Sequence, residues 1–167
     1  MPIRDLLLQE FDDEVEKTRT TLGRVPADKK EFSPHAKSMP LGRLAVHVAQ
    51  LPDFGLSVLS TPGLDFNKGS FTPLEFDSAA GLVSVFDQAA SKARATLATL
   101  NDSAWNERWK LSFEGTPIFE DTRFLAYRAM FLNHLVHHRA QLGVYLRLNG
   151  KPVPATYGPS ADDTMGF

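Results

Sequence analysis

Three of the five histidines in this chain stand close together near its carboxyl end, at His134, His137 and His138. On a helix, residues four apart lie one above the other on the same face. The imidazoles of His134 and His138 could therefore hold one metal ion between them. The spacing alone does not decide this, because histidine pairs four apart also occur for other reasons.

The apolar pattern around these histidines indicates which of them point inward. An apolar face is formed by Phe124, Tyr127, Phe131, Leu135, Leu142 and Tyr145. At about 100° per residue, His138 lies about 10° and His134 about 50° from the centre of that face, whereas His137 lies about 110° away. The pattern predicts that His134 and His138 face the core and that His137 lies at its flank.

A third imidazole is available from an earlier amphipathic segment. His47 shares one helical side with Leu44, Leu51 and Phe54, so it too is predicted to face the core. Three neutral nitrogens suit transition metals, with zinc or nickel favoured and iron or copper open, and they leave one position for water or substrate. Considered alone, His47 also fits a hydrogen-bonded core histidine. His35, in a polar loop next to a proline, is predicted to be exposed.

The apolar periodicity predicts four helices that would position these side chains. They cover residues 3–22, 41–59, 78–100 and 123–148, the last without interruption. Pro40 suits the first turn of the second helix, Pro52 predicts a kink or break within it, and Asp77 or Ser78 could cap the third. The sequence therefore predicts an all-α class, a single domain over residues 1–167 in which four helices form a bundle with its metal site in the core.

Two segments lack helical periodicity. Residues 61–76 contain Pro62, Gly63, Gly69 and Pro73 and predict a long irregular crossover between the second and third helices. Residues 101–122 contain both tryptophans and are centred near Gly115, so we predict extended or hairpin structure covering one end of the bundle.

The composition indicates which partners are unexpected and where in the cell the protein is expected. The chain has 18 basic and 20 acidic residues and no charge run, which argues against a nucleic-acid arm or a membrane-binding face. No stretch approaches the roughly 20 apolar residues needed to cross a bilayer, and no leader pattern is present, so a cytoplasmic protein is expected. With no cysteine, any metal must be bound by nitrogen or oxygen.

Taken together, these motifs resemble the DinB-like metal-binding four-helix bundles. That family carries a histidine on the second helix and an H-x-x-x-H pair on the last, often followed by arginine and glutamine. The matching segments here are residues 42–47 (GRLAVH), 134–142 (HLVHHRAQL), 145–147 (YLR) and the tail 152–163. The resemblance implies a divalent metal on His47, His134 and His138. Ala140 departs from it, since relatives usually have glycine before the glutamine.

The resemblance also implies a range of functions. Some relatives are similar to transferases or isomerases that use low-molecular-weight thiols such as mycothiol or bacillithiol. We therefore expect a metal-dependent enzyme that lowers the pKa of a thiol or water for transfer to, or hydrolysis of, a small molecule. The alternative is a non-catalytic, metal-stabilised stress-associated or ligand-binding bundle, favoured if Asp53, His137 or a tail residue were a fourth ligand. A dimerising helical protein with vestigial histidines is the third possibility, and a homodimer is expected in any case.

Other polar residues near the end of the chain could support the site or the fold. Gln141 could hydrogen-bond the second nitrogen of a metal-binding histidine. Asn133 and Arg139 fall near the helix exterior, which predicts solvent or interface roles, and Tyr157 could anchor the tail. Neither His134 nor His138 has an acidic residue three positions earlier, so a two-metal carboxylate site is disfavoured.

Overall fold

A computed structural model describes residues 1–67 and 74–164 of this chain. Gly69 and Pro73, two of the residues used to predict the crossover, lie outside this described part. The helices are α1 (Ile3–Leu22), α2 (Leu41–Ser60), α3 (Ala79–Thr99), α4 (Arg123–Tyr127) and α5 (Asn133–Leu148). The strands are β1 (Gly63–Phe66), β2 (Arg108–Phe113) and β3 (Thr116–Thr122). Short 3-10 helices lie at Ala27–Lys29 and Asp102–Asn106.

The helices surround one apolar core. Both α1 and α2 pack against α3 and α5, and the contact between α2 and α3 is the most extensive. Small residues, among them Ala45, Ala49 and Ala93, are fully buried, which permits the close approach of helices. The four predicted helical regions are confirmed, and most of the buried residues of each one are apolar residues at helical spacing.

Local sequence signals set most helix boundaries. Ser78 rather than Asp77 caps α3, and its side chain accepts a hydrogen bond from the Gly81 N–H. Pro40 occupies the cap position of α2, one residue before the first turn. Helix α2 continues through Pro52 without a break. In the described part of the chain, no helix combines the length and the apolar character needed to cross a membrane.

The last helical region contains a feature that periodicity does not reveal. Between α4 and α5, the residues Arg128–Leu132 form a π-helical turn, in which the Asn133 N–H donates to the Arg128 carbonyl five residues earlier. The prediction of an uninterrupted α-helix was therefore wrong at this turn. On α2, Gly55 faces it: a Cβ there would lie 2.8 Å from the Phe131 ring, so glycine allows the two segments to touch. Such turns often lie at functional sites.

The all-α prediction was wrong, because the chain also forms a three-stranded mixed sheet. β2 is central, with β1 parallel on one side and β3 antiparallel on the other. Part of the predicted irregular crossover is thus a strand, and its pairing partner lies far along the chain. A Cβ on Gly63 would lie 2.6 Å from the Lys110 carbonyl, so the glycine read as a turn signal instead permits strand contact.

The hairpin predicted around Gly115 is confirmed. Glu114 and Gly115 link β2 to β3 with φ values of 48° and 78°, as a two-residue hairpin turn requires. The Asp65 carboxylate of β1 accepts a hydrogen bond from the Gly115 N–H, at 3.1 Å for its nearer oxygen. This hydrogen bond therefore holds β1 to the turn of the hairpin formed by β2 and β3.

The sheet packs where α2 ends and α4 begins. Trp109 of β2 lies against Phe54 of α2, with ring centroids 6.2 Å apart, and both tryptophans are almost completely buried. The buried Arg123 guanidinium donates to the carbonyls of Val58 and Thr61 at the end of α2. These bonds satisfy carbonyls that a helix terminus otherwise leaves without partners. The arginine thus holds the end of α2 against the start of α4.

Candidate metal centre

The fold brings together the three histidines that the sequence analysis selected. His47 on α2 meets His134 and His138 on α5, and potential ligand atoms of all three lie within 4.8 Å of one another. The Nε2 atoms of His47 and His134 are 3.2 Å apart. Two nitrogens bound to one tetrahedral zinc ion would be about 3.3 Å apart. His47 and His134 therefore already have the spacing that a tetrahedral ion requires, and His138 lies close enough to be the third ligand.

Hydrogen bonds on the far side of two rings fix their orientation. The Nδ1 atom of His138 lies 2.7 Å from Oε1 of Gln141, as the sequence analysis predicted for this glutamine. The Nδ1 atom of His134 lies 3.3 Å from the carbonyl oxygen of Met130, within the π-helical turn. When Nδ1 donates a proton to such an acceptor, the lone pair of Nε2 is left free for a metal.

This contact leads to a prediction about Gln141. Replacing it by leucine removes the acceptor for the His138 Nδ1–H, and we expect metal affinity to fall by about 10- to 100-fold. Gln141→Glu keeps an acceptor oxygen for the His138 Nδ1–H. It should therefore bind metal with an affinity near that of wild type. Competition with a chromophoric chelator measures both. Equal affinity of the leucine and glutamate variants would contradict the assigned contact.

The surroundings keep the histidines uncharged. Burial, followed by the charges of His138, His134 and Arg43, lowers the pKa of His47 to about 4. Burial is also the main cause that lowers the pKa values of His134 and His138. Imidazoles bind metals in the neutral form. The site is therefore ready to bind a cation at neutral pH without first releasing protons.

These shifts predict a pH dependence for the metal-free protein. In the unfolded chain, His47 takes up a proton near its ordinary pKa of 6.5, whereas in the folded chain it stays neutral down to about 4. Between pH 6.5 and about 4 the unfolded state therefore binds more protons than the folded state. The free energy of unfolding is at its full value above pH 6.5 and falls as the pH drops towards 4. Urea unfolding of chelator-treated protein measures this fall. His47→Gln should lessen it, and parallel curves for variant and wild type would contradict the shift.

Neither of the named side chains proposed as a fourth ligand joins the cluster. In the part of the chain that the structure describes, the group of potential ligands consists of His47, His134 and His138. His137 is exposed and contacts the Gln141 amide nitrogen at 3.1 Å. Asp53 is exposed on α2. The three-histidine arrangement leaves room for an additional ligand from outside the chain.

Arg139 differs from its predicted place on the helix exterior. It is 3% exposed and forms an ion pair with the buried Glu14 of α1, with Nη2 2.6 Å from Oε2. The Tyr157 hydroxyl accepts from Arg139 and donates to Glu14, so the tyrosine anchors the tail as expected. Angular counting treats an arginine at the edge of an apolar face as exposed. It misses a buried partner such as Glu14, which only the packing of α1 on α5 provides.

A pocket of about 650 Å³ opens beside the cluster, and His47 forms part of its wall. Arg43, Val46, His47 and Gln50 line it along α2, a set that sequence analysis missed although its spacing places it on one helical face. The opposite walls come from the loop before α2 and the segment before α3. Their lining residues are Lys30, Glu31, Met39, Pro40, Leu74, Glu75 and Phe76.

The fold and the site together define a class of protein, namely helical bundles with a small mixed sheet and a three-histidine candidate metal centre that adjoins a pocket. The sequence profile described as the DinB family matches residues 1–165. The chain therefore belongs to the DinB family.

Solved structures support the same fold. A DinB-like protein from Bacillus cereus superposes with a TM-score of 0.67 and 21% identity, covering 90% of this chain and 95% of that one. A DinB-like protein from Bacillus subtilis gives a TM-score of 0.66 and 18% identity, covering 95% and 98%. Among curated proteins, none matches this chain in sequence. At these identities the likeness concerns the fold.

Proposed function

We propose that this protein is a metal-dependent enzyme whose ion, held by His47, His134 and His138, activates a low-molecular-weight thiol or water for reaction with a small molecule. The observation that carries the proposal is the double position of His47. It belongs to the three-histidine cluster and also lines the adjacent pocket. A molecule in the pocket can therefore reach an ion in the cluster.

The donor set suits zinc or nickel best, with iron as a further choice, because all three donors are neutral nitrogens. When bound, such an ion supplies a Lewis acid that lowers the pKa of a thiol or water. The chain contains no cysteine, so a sulfur nucleophile would come from a cosubstrate.

Groups of the protein itself would orient the metal ligands and bind the substrate. Gln141 and the Met130 carbonyl hold two of the imidazoles in place, so little reorganisation accompanies binding. The pocket has a volume typical of sites for small organic molecules. Its apolar side chains, Met39, Val46 and Phe76 among them, can exclude water from a bound substrate.

A direct test compares zinc-loaded, nickel-loaded and metal-free protein in two assays. Thiol transfer is followed by the fluorescence of monochlorobimane with a panel of small thiols, and hydrolysis by release of nitrophenol from its acetate ester. We expect loaded wild type and His137→Ala to exceed metal-free protein and His138→Ala. A metal that raises the melting temperature without raising either rate would instead support the non-catalytic, metal-stabilised bundle.

A further inference from the structure

The wall of the pocket formed by α2 has an ordered arrangement. Arg43, Val46, His47 and Gln50 all line it, at the i, i+3, i+4 and i+7 positions that make one stripe on a helix. The guanidinium of Arg43 therefore stands one helical turn from the imidazole of His47. Its charge acts on that ring, because it contributes to lowering the pKa of His47.

The two basic residues of the pocket differ in their surroundings. Lys30 lies 3.5 Å from Asp77 and 4.9 Å from the centre of the Phe76 ring, so its charge already has partners. Arg43 is exposed, and in the described ranges 1–67 and 74–164 no carboxylate lies within ion-pair distance of it. Arg43 is thus the basic side chain of the pocket that remains available to bind a ligand.

The acidic residues of the pocket do not offset this charge at the metal side. Glu31 and Glu75 also line the pocket, but they lie on the loop before α2 and the segment before α3, whereas Arg43 and His47 share one face of α2. A divalent ion on three neutral imidazoles adds two further positive charges to the same wall. With the metal bound, the α2 wall next to His47 would therefore be cationic, and a ligand with a negative group is favoured there.

We propose that the pocket selects a small organic acid, whose carboxylate pairs with Arg43 while a donor group a few bonds away reaches the candidate metal centre. This inference rests on the proposed function, since it names the chemical class of the small molecule. A planar guanidinium binds a carboxylate through two parallel hydrogen bonds, which fixes orientation as well as charge. Met39, Val46 and Phe76 would contact the hydrocarbon between the two groups.

The test uses full-length zinc-loaded protein and two probes of nearly equal size, 3-mercaptopropionate and the neutral 3-mercaptopropan-1-ol. Titration calorimetry gives a dissociation constant for each, and zinc per chain is measured on every sample. We expect wild type to prefer the acid by about tenfold, as one charge-assisted contact implies. Arg43→Gln should lose most of this preference and keep only the part that the charge of the zinc ion supplies, and Arg43→Lys should retain more of it.

Lys92→Gln is the matched control, because it removes one positive charge from an exposed position on α3 outside the pocket. It should keep the full preference for the acid. Equal binding of the two probes by zinc-loaded wild type, or no binding of the acid at millimolar concentration, would overturn the inference. A preference unchanged in Arg43→Gln would overturn it as well. Protein that holds no zinc would instead refute the proposed function, so the two failures are distinguishable.

Discussion

His138→Ala is expected to lose metal binding at stoichiometric levels, and His47→Ala is expected to do the same. His138→Ala leaves two imidazoles on different helices to hold the ion, and His47→Ala leaves two imidazoles on α5. Loss of an outer hydrogen-bond partner already costs about 10- to 100-fold in affinity, so loss of a nitrogen ligand should cost more than about 100-fold. Elemental analysis of protein purified without a nickel column, followed by zinc titration, measures this loss.

His137→Ala supplies the matched control. His137 is adjacent to His138 in sequence, its ring centroid is 4.8 Å from that of His138, and its side chain is exposed. It lies outside the three-histidine cluster, so its removal should leave metal content near the wild-type value. If His137→Ala lost the metal and His138→Ala kept it, the assignment of the cluster would be wrong. Wild-type protein that takes up no zinc, nickel or iron would show that these histidines serve only in packing.

The second large effect concerns stability and the ion pair between Glu14 and Arg139. Both side chains are buried, 4% and 3% exposed, and Arg139 also donates to the Glu14 carbonyl and the Thr18 hydroxyl at 3.1 Å each. Removing Arg139 leaves the charge of Glu14 buried and only partly compensated, by the Tyr157 hydroxyl and by Lys17 at 3.6 Å. We expect Arg139→Met to lower the free energy of unfolding by about 3–5 kcal/mol.

Urea unfolding at neutral pH measures this change, and a double variant separates its causes. Glu14→Leu combined with Arg139→Met removes both charges, so much of the lost stability should return. Arg94→Ala is the control for an exposed pair: Arg94 bonds Asp12 at 2.7 Å on the surface and should cost less than about 1 kcal/mol. An Arg139→Met variant no less stable than Arg94→Ala would contradict the expected penalty.

Local sequence determined the helices and the inward direction of the key histidines. Helical periodicity is a property of neighbouring residues, so His134 and His138 could be placed on the core side of the last helix from spacing alone. The same holds for His47 on α2. For the cap of α3, local sequence left Asp77 and Ser78 as candidates, and the structure shows Ser78. The hairpin was readable because Gly115 marks the turn locally. The prediction that Gln141 bonds an imidazole also required only a separation of three residues.

Tertiary structure alone decided the features that join distant parts of the chain. Strand β1 was missed because Gly63–Phe66 pairs in parallel with Lys110–Phe113, and no local pattern specifies such a partner. Burial of Arg139 depends on Glu14, which lies on another helix. The pocket beside His47 likewise forms only where α2 meets two separate loops. Periodicity reports which face of an element is apolar, whereas the partner that covers or pairs with a given residue is fixed only when the elements pack.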